Sequence, residues 1–162
     1  MPLPFLPRAV SGALVVLSFA VATNHGLPAP AGAPDREGVR RAVLDYVDGF
    51  YEGDTAKLVR SVRPEVHKYG FYLPKGSQAY TGEGMPYAEF MSYANQVKAR
   101  GQAPKADWPK QIEIFDVTDQ TASAKLTAWW GIDYLLLARY DGRWMITHVL
   151  WQSPPKESAA KP

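Results

Sequence analysis

Cysteine is missing from all 162 residues. That excludes disulfides, thiolate-held metals and cysteine-linked lipid anchors. Histidine is nearly missing too, with three copies, of which only His67 and His148 lie outside the N-terminal stretch. No His-x-x-x-His or related spacing exists, so the three or four ligands of a typical protein metal site are not in view, and no metal or other cofactor is expected. The basic residues are scattered and the formal net charge is only +2, which argues against a nucleic-acid groove. Thr81-Gly-Glu-Gly lacks the following Lys-Ser/Thr of a phosphate loop, and there is no Gly-x-Ser-x-Gly elbow.

The longest apolar stretch, Ala9 to Ala22, falls short of the roughly 20 residues that cross a bilayer. Arg8 precedes it and Ala29-Pro30-Ala31 follows, the pattern of a secretory signal peptide. Residues 1–33 are therefore read as a signal peptide with a short mature stub. Residues 34–152 form one domain, and the proline-containing stretch 153–162 is read as a disordered tail. The expected location is periplasmic or extracellular, with no membrane association once the signal is removed.

Within the domain, Val39, Ala42, Val43, Tyr46, Val47 and Phe50 recur at three- and four-residue steps and predict an amphipathic helix. Asp35 caps its start and Gly53 ends it. Asp45, Asp48 and Glu52 read as its solvated face. Asp54 caps a short second helix reaching Val62, which Arg63-Pro64 stops. Residues 65–80 read as a short strand and a long loop. Pro86 opens a third helix, with Tyr87, Phe90, Met91, Ala94 and Val97 on its apolar face.

Beyond Pro109 the period becomes two. Ile112–Val117, Ala122–Trp130, Ile132–Tyr140 and Arg143–Trp151 predict four antiparallel strands, with Asp141-Gly142 a hairpin turn. Helices followed by a meander give an α+β class, the helices gathered on one face of the sheet. On a regular strand Trp129 and Trp130 point to opposite faces. Trp129 then ends the polar outer set Thr121, Ser123, Lys125 and Thr127, as a candidate anchor for a homodimer through the outer sheet face.

The segments RRAVLDYVDGFYEGD (40–54), RPEVHKYG (63–70) and DYLLLARYDGRWMITHVLW (133–151) together resemble the putative lumazine-binding family of the NTF2-like superfamily. The resemblance implies a cone: a curved antiparallel sheet wrapped around three N-terminal helices, with an internal pocket. That superfamily holds ketosteroid isomerase, scytalone dehydratase and SnoaL-like polyketide cyclases beside non-catalytic binding and assembly domains, so fold alone supplies no activity.

Beside a dimerising assembly module, two further functional readings follow. Phe90, Trp130, Tyr134, Trp151 and Tyr72, with His67, Asp133 and His148 as polar groups, suit a pocket for a small, mostly apolar or aromatic ligand. The same rings also serve as ordinary core filling. Alternatively, Asp133 or His148 acts as base, with tyrosine hydroxyls as donors, in an isomerase or dehydratase reaction beside a carbonyl. A turn carboxylate next to Gly131 is the plainer account of Asp133.

Overall fold

The computed structural model describes residues 33–101, 104–105 and 107–155. The predicted signal peptide and most of the tail lie outside them. Among the described residues no helix is long and apolar enough to cross a membrane.

Helix α1 runs Ala33–Glu52, starting two residues before the expected cap. Asp35 instead sits in its first turn and pairs with Arg139 at 3.0 Å. The predicted apolar stripe is the buried one: Val39, Ala42, Val43, Tyr46, Val47 and Phe50 are all in the core, each large side chain contributing about 1.5–3 kcal/mol by leaving water. The acidic face is tied down by cations. Asp45 takes both ends of the Arg60 guanidinium at 2.6 and 2.8 Å, and Lys57 bridges Asp48 and Glu52. Helix α2, Thr55–Ser61, begins at Asp54, whose carboxylate accepts from the Ala56 amide at 2.9 Å. Helix α3 spans Tyr87–Arg100 and buries Phe90, Ala94 and Val97.

Among the described residues six strands form one sheet in the order β2-β1-β6-β5-β4-β3. The meander β3 (Gln111–Val117), β4 (Thr121–Ala128), β5 (Gly131–Tyr140) and β6 (Arg143–Gln152) is antiparallel throughout, as expected. The region before it departs from expectation. Strand β1 is an eleven-residue strand, Val62–Tyr72, lying parallel to β6, and β2 (Thr81–Gly84) pairs with its end. Pro64, read as a stop, is carried inside β1 because the β1–β6 register shifts between Val62 and His67, where no ladder amide is required of it.

Helices α1 and α3 cover the concave face, against Ala122, Ala124, Leu126, Ala128, Leu135, Leu137 and Val149. The convex face is apolar in part. Tyr69 and Phe71 on β1, Leu150 on β6, and Tyr134 and Leu136 on β5 are each 41–52% exposed. Register aligns Tyr69, Leu150 and Tyr134 in one row, and His67, His148 and Leu136 in the next.

Strand β4 stops at Ala128, so Trp129 and Trp130 form the turn to β5 and are not strand residues. This corrects the placement of Trp129 on the outer face. Its ring packs on Trp108 at 5.6 Å and on Trp130 at 6.0 Å, at the rim of the concave side. Gly131 closes that turn at φ 133, with its α-carbon against the Gln152 carbonyl, so a side chain there meets backbone. At the other hairpin Asp141 and Gly142 have φ 50 and 76, both positive, as a type I′ turn requires. Gly142→Val is therefore expected to cost about 1 kcal/mol or more, and Gly131→Ala more than that, because strain and collision add. Thermal melting checks the order: a Gly131→Ala protein as stable as the parent would contradict this packing.

Candidate functional site

Helix α1, strand β1, helix α3 and the β4–β5 turn enclose an open cavity of about 360 Å³. Its walls are rings: Phe50 from α1, Tyr93 from α3, Trp129 and Trp130 from the turn, and Trp151 from β6. Met85 adds a flexible apolar surface, and Glu83 and Glu89 stand at the rim. Lys68 is the amine among the lining residues.

Strand alternation explains how a lysine comes to be there. Val66, Lys68 and Gly70 face inward along β1 while His67, Tyr69 and Phe71 face out, following the period of two. Gly70 has no side chain because the Trp151 ring lies directly over it. The Lys68 ammonium ends among four rings, 5.2 Å from the centroids of Phe50 and Phe90, 5.6 Å from Tyr46 and 5.9 Å from Trp151. Ring faces attract a cation, by ~0.5–2 kcal/mol each.

A polar chain runs from this ammonium into the core. Lys68 Nζ donates to Tyr46 Oη at 3.0 Å, and the Asp133 carboxylate stands beyond that hydroxyl, near enough to push the Tyr46 pKa up. The indole Nε1 of Trp130 donates to the two Asp133 oxygens at 3.2 and 3.1 Å. Asp133 has no exposed surface. Burial raises its pKa, opposed by the Lys68 charge and by the bonds from Trp130 and Tyr46. Burial lowers the Lys68 pKa, with Asp133 acting against it. Tyr46 is pushed well up, first by burial and then by the Asp133 charge, so its hydroxyl stays protonated. A buried carboxylate left without these partners would cost several kcal/mol.

The residues singled out from the sequence are dispersed. Trp130 and Trp151 line the cavity. Phe90 is fully buried, packing on Phe50 at 5.4 Å behind the wall. Asp133 lies one layer deeper, reached only through Trp130 and Tyr46. Tyr72 ends β1 on the inward parity, beyond the cavity. His67, Tyr134 and His148 stand on the convex face, where the two imidazole rings stack at 5.4 Å. Sequence reasoning missed Lys68, Tyr46, Tyr93 and Met85. Lys68 lay within a quoted motif, and reading β1 as a full strand would have turned it inward.

A family model described as putative lumazine-binding matches residues 34–152. The chain belongs to this family. No curated protein matches it. Among solved structures, an NTF2-like protein of unknown function from Shewanella baltica superposes with a TM-score of 0.60 at 15% identity, covering 76% of this chain and 96% of its own. A second, from Methylobacillus flagellatus, gives 0.57 at 18%, covering 78% and 97%. A third, from Silicibacter pomeroyi, gives 0.55 at 18%, covering 73% and 94%. At such identities the likeness establishes the NTF2-like fold and nothing finer.

The raised Asp133 pKa has a signed consequence. In the folded protein the carboxyl keeps its proton at pH values where the unfolded chain, at about 3.9, has lost it. Its contribution is thus complete below that value and declines as pH rises through the folded pKa. The unfolding free energy of the parent minus that of Asp133→Asn should fall as pH is raised from 4, then level off. Urea unfolding at half-unit steps measures it; a difference that climbs over this range would show that burial does not dominate.

Proposed function

We propose that this domain binds a small, planar, mostly apolar molecule carrying a hydrogen-bond acceptor. The observation behind this reading is the composition of the cavity: five aromatic rings with one amine at the floor. The rings offer faces for stacking, and the amine fixes orientation, since an acceptor buried without a donor is costly. The volume suits a small organic ligand. The family's description as lumazine-binding speaks for the same class, because a lumazine is a flat fused ring bearing carbonyls. The isomerase or dehydratase reading has less support, because the Asp133 oxygens are engaged by Trp130 and Tyr46 and have no exposed surface.

Three tryptophans at the cavity make binding directly readable. Titration with lumazine should quench their fluorescence saturably. Trp151→Ala and Lys68→Met should each weaken binding about tenfold, the equivalent of ~1.4 kcal/mol. No quenching by lumazine or by any of a panel of flat heteroaromatic carbonyl compounds would remove this reading.

The convex face supports a second activity, assembly with another copy of the chain. Tyr69, Phe71, Leu150, Tyr134 and Leu136 make an apolar patch there beside His67 and His148, and the neighbouring Lys125 and Glu113 are already paired at 2.6 Å. An apolar patch is best matched by an equally apolar one, and a two-fold pairing needs only one such surface. Tyr69, Leu136 and Leu150 take the role first given to Trp129. Sedimentation at micromolar concentration should show a dimer that Leu136→Asp dissociates and Trp129→Ser leaves intact; a monomeric parent rules it out.

A further inference from the structure

Nothing in the ligand reading uses the nucleophilic character of the Lys68 amine. Among the described residues its one hydrogen-bond partner is Tyr46, at 3.0 Å, and the nitrogen otherwise stands among rings of the cavity lining. Behind Tyr46 stands a carboxylate with no exposure. An amine in an aromatic cavity, a phenol touching it and a sealed carboxylate behind the phenol make up the parts needed to move one proton off the nitrogen and return it.

We propose that Lys68 condenses reversibly with an aldehyde or ketone ligand, holding it as an iminium inside the cavity; the proposal rests on the cavity being a ligand site. The ammonium gives a proton to Tyr46 as Tyr46 passes its own to Asp133. The freed lone pair forms a bond to the carbonyl carbon as the C=O π pair moves to oxygen, and a second proton passes from the nitrogen to that oxygen, giving a neutral carbinolamine. The proton held by Asp133 returns through Tyr46 to the hydroxyl, the C–O bond breaks, and water leaves. Ammonium plus carbonyl has become iminium plus water, with one positive charge before and after.

Conservation of charge is what the surroundings favour. The rings that attract the ammonium attract the iminium at the same place, and Asp133 is its counter-ion in both states. Burial, which lowers the Lys68 pKa, enlarges the fraction of free amine near neutral pH, as in other lysines that form Schiff bases. Aromatic walls around the C=N bond restrict the water that would hydrolyse it.

The test uses the intact protein, 2-naphthaldehyde and sodium cyanoborohydride at pH 7, with the reduced adducts located by peptide mass spectrometry. Lys68 should be labelled at least tenfold faster than Lys57, Lys75, Lys98 or Lys125, and Lys68→Arg should abolish the fast adduct. Carbonyl-free 2-naphthol serves as the binding control. Should both naphthalenes quench the tryptophans while adducts scatter evenly over surface lysines, condensation is overturned and the cavity remains a binding site. Should neither quench, both readings fall for this ligand class.

Discussion

A lysine ammonium enters an apolar interior only with an opposite charge in reach, because desolvation of an unpaired ion costs several kcal/mol. Here the opposite charge lies two strands away. Lys68 is on β1 and Asp133 on β5, with β6 between them, so their backbones stand roughly 10 Å apart at the usual strand spacing, while their side chains converge on one hydroxyl. The phenol of Tyr46 spans that gap from helix α1. Helix, first strand and meander are thereby locked in one relative position, and Trp130 is drawn inward to donate to the same carboxylate. The cavity is the space left between these held parts.

Sign matters at each level of this arrangement. The interior carries one cation and one anion linked through a phenol, while the cavity rim carries the carboxylates of Glu83 and Glu89. An anionic ligand would pass those acids and then meet a lysine already neutralised by Asp133. A neutral molecule with an acceptor edge meets neither obstacle. For the proposed ligand, charge would thus be sorted before shape.

Much of the fold was legible because period and turn chemistry agreed. The stripe of α1, the alternation of β4 and the Asp141-Gly142 turn each gave the same answer locally and globally. Strand β1 was not legible, since its pattern is inverted. The inward positions carry Lys68 and Gly70, while Tyr69 and Phe71 are the outward ones. Period-two reasoning assumes that apolar means inward. The inward parity of β6 was also beyond reach, for a different reason. The register shift between Leu136 and Leu137 makes Thr147 an extra residue, so Ile146 and Val149 both face the core. No single alternation describes that strand. The site followed the same divide: Trp130 and Trp151 were visible as aromatics on the meander, whereas Lys68 depended on the strand that the pattern concealed.

Tyr51 gives the cavity mouth an unusual mechanical property. Its hydroxyl donates to the Pro109 carbonyl at 2.7 Å and accepts from the Trp129 amide at 3.0 Å, while its ring packs edge-on to Trp108 and Trp130. One phenol on the last turn of α1 therefore fastens both the segment leading into β3 and the turn that carries the two tryptophans. Among the described residues, that side of the mouth has no independently hinged flap. Widening it means either breaking two hydrogen bonds at a single oxygen or carrying the end of the helix along, and the helix end is itself clamped to α2 through Lys57. On that side the mouth is geared to the scaffold: its width follows the placement of a helix end.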